Sequence, residues 1–494
     1  MNAKFLLPAG MAVLLAGCSM APNYVRPELP VPADWPKGPA YRETAAAPAA
    51  PAAAALAWPE FFPDPNLRRI IEIALGNNRD LRLAALNVER ARGLYGIQRA
   101  ELAPVIEAVG SGRKARVPGS AFGGGGNAVT TERYDVNLSV SSWEIDFFGR
   151  IRSLKDRALE EYLATEETRR SARILIVSDV ANGYLLLAAD RENLRLSEST
   201  LATQHAALDL VRRRFELGLV SELDVTRART SVDAARADVA RFTQLAAQDE
   251  NALDLLAGAA VPRELLPQDL ASVRPPEEIS AGLPSEVLLS RPDILAAEHR
   301  LKGANANIGA ARAAFFPRIS LTAAAGTASG ELSGLFASGS GAWTFAPEAV
   351  LPIFDARIWP ALTVSSTDRE IAVVEYEKAI QTAFREVADA LAVRGTVERQ
   401  ISAQQSLVDA SARTHRLAGV RFEKGIDDFF GVLDAQRSLY AAQQGLIAAR
   451  LAGVANRVRL YAVLGGGGEP SAGGGGPGGA KAEITPSGGA GRTR

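Results

Sequence analysis

Side chains able to do chemistry are few and scattered in this chain of 494 residues. Cys18 is the only cysteine, so it forms no internal disulfide, and a lone thiol closing a short apolar N-terminal stretch is better explained by lipid attachment than by redox work. The three histidines, His205, His299 and His415, show no His-x-x-x-His or Cys spacing, which argues against a metal centre. There is no Gly-x-Ser-x-Gly nucleophile elbow, and the glycine run after Gly465 lacks the Gly-Lys-Ser/Thr ending of a phosphate-binding loop. The chain therefore reads as a non-enzyme with no metal and no cofactor. What remains are two turns with acids beside them: Gly218-Leu219-Val220-Ser221 with Glu222 and Asp224, and Gly425-Ile426-Asp427-Asp428 followed by Phe430 and Asp434. Gly218 and Gly425 fit helix C-caps, and Ser221 and Asp428 fit N-caps. Taken alone, Asp434 is a surface residue early in a helix, favoured there by the helix dipole.

The N-terminal residues define where such turns would work. Residues 1–17 carry one lysine, Lys4, then an apolar stretch ending in Leu14-Leu15 and the small residues Ala16-Gly17, the layout of a secretory signal too short to span a bilayer. The ending Leu15-Ala16-Gly17-Cys18 resembles the bacterial lipobox, and this resemblance implies cleavage before Cys18 and lipidation of its thiol. Ser19, in place of Asp, implies sorting to the outer membrane. A formal charge of −1, from 55 basic and 56 acidic residues, gives no field that would favour nucleic acid. After Cys18 no run of 18 apolar residues occurs, so a helical span is not expected, and any crossing of the membrane falls to strands closed into a barrel.

The chain is written twice. Phe147, Arg150 and Ile151 return 207 positions later as Phe354, Arg357 and Ile358, and Arg214-Phe215-Glu216-x-Gly218 returns at the same spacing as Arg421-Phe422-Glu423-x-Gly425. Earlier in each half the spacing is 213, carrying Asp80, Ala84, Gly96, Arg99 and Pro104 onto Asp293, Ala297, Gly309, Arg312 and Pro317. A built-in pseudo-symmetry points to a ring or tube. Residues 18–63, rich in Pro and Ala, read as a lipidated tether. Residues 64–258 form the first repeat, 259–284 a linker, 285–464 the second repeat, and 465–494 a disordered Gly-rich tail. In the first repeat the patterns predict helices near 65–76 and 79–102, strands near 104–117 and 131–148, and helices near 150–217 and 221–257. In the second they predict helices near 285–290 and 292–315, strands near 317–327 and 342–354, and helices near 357–424 and 428–464.

The longest helices would reach about 100 Å at 1.5 Å per residue. Their support is a heptad seam, Val225, Ala228, Val232, Ala235, Val239, Phe242, Ala246, Asp249, Leu253, Leu256, whose copy reads from Val432 to Val463 with Asn456 in the place of Asp249. Val180, Leu187, Leu194, Leu201, Leu208 and Phe215 add a stripe on the long helix. Such seams alone fit a lipid-anchored periplasmic stalk. The strands argue otherwise. Tyr134, Val136, Leu138 and Val140 alternate with Asp135, Asn137, Ser139 and Ser141, and Ile319, Leu321, Ala323 and Ala325 share one face, the period of a barrel wall between lipid and water. After Ser142 the apolar phase shifts to Trp143, Ile145 and Phe147, as a bulge or an aromatic girdle requires. Four strands cannot close a barrel, so several chains must share one sheet.

At this point the residues match a family. Leu15-Ala16-Gly17-Cys18, Ala21-Pro22-Asn23-Tyr24-x-Arg26-Pro27, Trp143-Glu144-Ile145-Asp146-Phe147-Phe148-Gly149-Arg150, Ser290-Arg291-Pro292-Asp293-Ile294, Ala314-Phe315-Phe316-Pro317 and Val432-Leu433-Asp434-Ala435-Gln436-Arg437-Ser438-Leu439 resemble the outer-membrane factors of tripartite efflux pumps, the TolC-like and OprM-like lipoproteins. The resemblance implies a mainly α fold with a membrane β-barrel. A homotrimer would share a twelve-stranded barrel continued by an α-barrel of long antiparallel coiled-coil helices. It would sit in the outer membrane of a Gram-negative bacterium and pass drugs or other small molecules from an inner-membrane pump and a periplasmic membrane-fusion adaptor. It also implies that residues 218–221 and 425–428 meet the adaptor. Phe430 would form a hydrophobic ring at the periplasmic aperture and Asp434 a carboxylate ring, with Asp224 and Glu222 as counterparts in the first repeat. Where the family has a second acid near Asp434, this chain has Gly431.

Overall fold

The computed structural model describes residues 19–41, 56–118, 127–280 and 288–466. Cys18, the signal segment, most of the glycine-rich tail and the first half of the short helix expected at 285–290 lie outside the described residues, and residues 288–290 are helical. The helices are α1 (Trp58–Phe61), α2 (Pro65–Asn77), α3 (Arg79–Ala100), α4 (Arg150–Glu216), α5 (Glu222–Ala257), α6 (Pro292–Ala313), α7 (Ile358–Glu423) and α8 (Phe429–Val463). The strands are β1 (Ile106–Val117), β2 (Val129–Glu144), β3 (Arg318–Ser329) and β4 (Gly341–Val350), one antiparallel sheet in the order β1-β2-β3-β4. Helix, strand pair, very long helix and long helix thus recur in the same order.

Each very long helix is matched by two shorter ones laid end to end, and side chains splice the joints. Asn78 accepts hydrogen bonds from the amides of Asp80 and Leu81, capping α3, while its Nδ2 donates to the Leu256 carbonyl at the end of α5, 2.9 Å away. Gly258 turns the chain there at φ 68°, where a Cβ would strike the Asn77 carbonyl. The joint between α8 and α6 is the copy of this one, but Arg291 takes the place of Asn78. Its Nη1 donates to the Val463 carbonyl at 2.7 Å, and its guanidinium also holds Asp293 and Glu386 at 2.7 and 3.0 Å.

The heptad seam is buried as its spacing demands: Ala228, Val232, Ala235, Phe242, Ala246 and Leu253 are all shielded in α5. Along the stripe on α4, Val180 and Leu187 are fully buried, but Phe215 at its end is exposed. The stripe therefore stops short of the turn, whereas the copy, Phe422, is buried against Phe429 with ring centroids 5.0 Å apart. The main core gathers α2, the middle of α4 and the C-terminal half of α8 around Phe61, Ile70, Tyr184, Leu187 and Tyr461. Although no uninterrupted apolar run occurs, α4 contains an 18-residue window of mean hydropathy 1.4, of which 61% is buried inside the chain. Core packing accounts for that window.

Two strand ends fall four residues short of expectation, and the other boundaries shift by at most two. The ladder of β2 ends at Glu144 rather than 148, because the next residues form a corner that starts α4. Phe148 stacks on Phe316 at 4.9 Å, Asp146 accepts from the Arg152 amide at 2.8 Å, and Gly149 turns at φ 74°. Glu144 receives both Nε and Nη2 of Arg150 at 2.8 Å, tying sheet to helix. At the other corner β4 ends at Val350, before Pro352 and a turn in which Asp355 accepts from the Arg357 amide at 3.0 Å.

Candidate functional site

Cross-strand register sorts the sheet into two chemically different faces. One row runs Ile106, Val140, Ala323, Phe345, and the next Ala108, Leu138, Ala325, Trp343. The opposite face carries the rows Glu107, Ser139, Ala324, Thr344 and Val109, Asn137, Gly326, Ala342. Trp343 and Phe345 stand 79% and 63% exposed on the apolar face, a cost in water and an advantage in lipid. The phase shift after Ser142 is a bulge: the register jumps between Val140 and Trp143, and Ser142 has φ 51°. That extra residue keeps Trp143, opposite Leu321, on the apolar face with Val140. β1 and β4 are edges whose outer backbone groups pair with no strand among the described residues. In hydrocarbon such edges must be closed by other strands.

At the far end of the helices the two glycine turns come together. Gly218 and Gly425 adopt φ 71° and 72°, the left-handed conformation expected of a helix C-cap. Val220 packs against the cluster of Leu208, Val211, Phe422 and Phe429, so the tip of one hairpin is seated on the other. Ser221 forms a capping box with Asp224, whose carboxylate accepts from the Ser221 amide at 2.9 Å and hydroxyl at 2.6 Å. Those bonds hold its carboxyl below the usual range. Asp428 caps α8 by accepting from the Gly431 amide at 3.3 Å, and Asp427 is gripped by Arg421 at 2.5 and 2.9 Å. Leu219 and Ile426 project at 69% and 59% exposure, apolar points on a polar tip.

Phe430 and Asp434 line one cleft, of about 230 Å³, between α4, α5 and α8. The Phe430 ring is half exposed and lies under the Arg227 guanidinium, 5.1 Å from its centroid. Asp434 pairs with Arg437 at 2.6 Å. Asp434 lies in the second turn of α8, which begins at Phe429, so its pairing with Arg437 describes it better than the helix dipole does. Sequence reasoning missed the cationic partners, Arg227 and Arg437, although the i,i+3 spacing of Asp434 and Arg437 was there to be read. Glu222 is exposed at the first position of α5, away from the cleft-lining residues.

The histidines stay apart. His299 on α6 meets Glu160 on α4 at 2.6 Å, and His205 on α4 lies 3.5 Å from Arg236. Toward the C-terminal end of the first coiled seam, burial and the charge of Asp190 push the Asp249 carboxyl up to about 6. Its copy, Asn456, needs no proton and donates to the Ala390 carbonyl at 3.0 Å. The N-terminal segment runs along α6 toward the sheet. Tyr24 and Arg26 converge on Glu298, whose side chain is 3% exposed, with Arg26 Nη2 at 2.7 Å. Farther along, Asn305 donates to the Pro22 carbonyl at 2.7 Å and Arg312 to the Met20 carbonyl at 3.3 Å.

With this geometry in hand, comparison with known proteins is informative. A family model described as outer membrane efflux protein matches residues 70–259 and 283–466. The toluene efflux pump outer membrane protein TtgC of Pseudomonas putida is 48% identical over 468 residues, covering 94% of this chain and 96% of that one. The outer membrane protein OprJ of Pseudomonas aeruginosa is 42% identical over 460 residues, covering 92% and 94%. Among solved structures, a membrane protein from Pseudomonas aeruginosa superposes with TM-score 0.84 at 41% identity, covering 90% of this chain and all of that one. The open state of the MtrE outer membrane channel of Neisseria gonorrhoeae gives TM-score 0.80 at 37% identity, covering 91% and 98%.

Proposed function

This chain belongs to the outer membrane efflux protein family and is an outer-membrane exit duct of a tripartite efflux pump; we propose that three copies build the duct and that Phe430 and Asp434 form its periplasmic constriction. The observation that carries the reading is the two-faced sheet with both edges open. One protomer supplies four strands, three supply twelve, and head-to-tail pairing of β4 with the β1 of the next copy removes every edge. The apolar rows then meet lipid, and the rows through Ser139 and Asn137 line water. Small molecules handed over by an inner-membrane pump and a periplasmic adaptor pass down this lumen without chemical change.

Below the membrane the long helices continue the wall, and their tips meet the adaptor through residues 218–221 and 425–428. Leu219 and Ile426 offer the apolar points of contact there. Threefold repetition turns Phe430 into an apolar ring and Asp434 into three carboxylates around the axis, each moderated by its own Arg437. Lipidation of Cys18 suits the docking of Met20 near the sheet end of α6. Replacing Phe430 and Asp434 together with alanine widens the constriction and raises single-channel conductance in planar bilayers. Unchanged conductance removes both residues from the aperture and leaves the duct in place.

A further inference from the structure

Phe430 and Asp434 share their cleft with side chains that the constriction does not use. The cleft crosses the boundary between two helical hairpins, with α4 and α5 on one side and α8 on the other. An apolar cavity of roughly 150 Å³ takes up a benzene ring. At about 230 Å³ this one has space for a ring together with its substituents.

The walls specify those substituents. Gln204 lines the cleft while only 6% exposed, and its Oε1 is a buried acceptor with no donor among the described residues. An unmet buried acceptor is costly, and an incoming O–H or N–H recovers that cost. The Arg227 guanidinium lies over the Phe430 ring and forms no ion pair among the described residues. The acids of the cleft are engaged elsewhere, Asp238 by Arg241 and Asp434 by Arg437, and Asp224, one turn before Arg227, is held by Ser221. One positive charge is therefore unbalanced, and it favours an anion. Across the hairpin His205 meets Arg236 at 3.5 Å, which sets its neighbour Gln204 roughly 13 Å along the cleft from Arg227 at 1.5 Å per residue. Between the two, Leu433 and Ala234 offer apolar surface. The duplication does not reproduce this set: Gln204, Arg227 and Asp238 return as Ser411, Asp434 and Gly445. The cleft is thus particular to this junction rather than a by-product of the repeat.

We propose, resting on the constriction assigned above, that the cleft binds a small aromatic carboxylate bearing a hydroxyl or amide donor at its far end. The carboxylate sits on Arg227, the donor on Gln204 and the ring against Leu433. A single ring hydrogen-bonded at both ends covers the distance between the two polar groups. Such an occupant ties α8 to α4 and α5. Widening the constriction by moving one hairpin from the other opens the cleft and breaks those contacts, so the bound molecule keeps the duct narrow.

The test is titration calorimetry of the full-length chain in detergent with para-hydroxybenzoate, benzoate and phenol, beside single-channel recordings in planar bilayers with the same compounds. Para-hydroxybenzoate should bind most tightly of the three and lower the conductance. Arg227→Gln should weaken it by roughly 10- to 100-fold, the scale of a hydrogen bond to a charged group. Gln204→Leu should bring para-hydroxybenzoate down to the affinity of benzoate. The same variant, free of ligand, should melt no lower than the unaltered protein, because the acceptor removed had no partner. No binding, equal binding of the three compounds, or affinities that neither variant changes overturns the site. Binding of the expected pattern with unchanged conductance overturns the brace. The constriction itself fails separately, through unchanged conductance of the Phe430 and Asp434 double alanine variant in the absence of any of these compounds.

Discussion

Arg291→Ala tests how two short helices are made to act as one. The substitution removes the bond to the Val463 carbonyl at 2.7 Å together with the contacts to Asp293 and Glu386 at 2.7 and 3.0 Å. Deleting one member of a buried pair costs ~3–5 kcal/mol. Asp293 and Glu386 side chains keep 40% and 30% of their exposure, so water takes over part of their solvation. A local cost of about 2–3 kcal/mol is therefore expected at this joint. The readout is hydrogen exchange at the Leu464, Gly465 and Gly466 amides, which bond back to Leu460, Ala462 and Tyr461 at the end of α8. Their exchange should accelerate by roughly 30- to 100-fold, with ~1.4 kcal/mol per tenfold. Arg291→Asn supplies the internal control, because it rewrites this joint as the Asn78 joint. The backbone already matches, with φ −69° and ψ 133° at Arg291 against φ −59° and ψ 133° at Asn78. An asparagine there can cap α6 and donate to Val463, so most of the protection returns. Unchanged exchange in the alanine variant, or asparagine no better than alanine, refutes the splice.

Two further outcomes follow from buried carboxylates. Asp249, pushed up to about 6 by burial and by Asp190, binds its proton more tightly folded than unfolded, so its contribution to stability is intact below its ordinary value of 3.8 and is lost as pH rises toward about 6. Asp249→Asn, the residue of the second repeat, should flatten the thermal midpoint across that window, and an identical pH slope in both proteins refutes the assignment. Glu298 behaves oppositely: burial alone would raise its carboxyl, but Arg26 and Lys302 outweigh it and hold it below its ordinary 4.5. Its stabilisation is therefore present above that value and lost as pH falls through the lowered one. Arg26→Ala should expose residues 19–41 to limited proteolysis at neutral pH, whereas the unaltered strap gives way only in acid; equal resistance at neutral pH contradicts the clamp.

Much of the architecture was legible in the residues because the duplication doubles every signal. Both capped glycine turns, the seam through Asp249 and Asn456, and the bulge after Ser142 show as breaks or repeats of period. The splice was hidden, since Asn78 and Arg291 occupy the same repeat position with unlike side chains and act through carbonyls that any residue carries. That Phe430 and Asp434 lie one turn apart followed from helical spacing, but Arg227 reaches Phe430 from a helix about two hundred residues earlier, a contact that no local pattern records.

The central claim is that each protomer contributes a wall with lipid on one side and water on the other. Single cysteines placed in turn at residues 135 to 140 of β2, probed in intact outer membranes with a membrane-impermeant thiol reagent, test it directly. Positions 135, 137 and 139 should react and 136, 138 and 140 should not. Uniform protection, as in a dry core, or uniform labelling, as in a solvated stalk, would contradict the account.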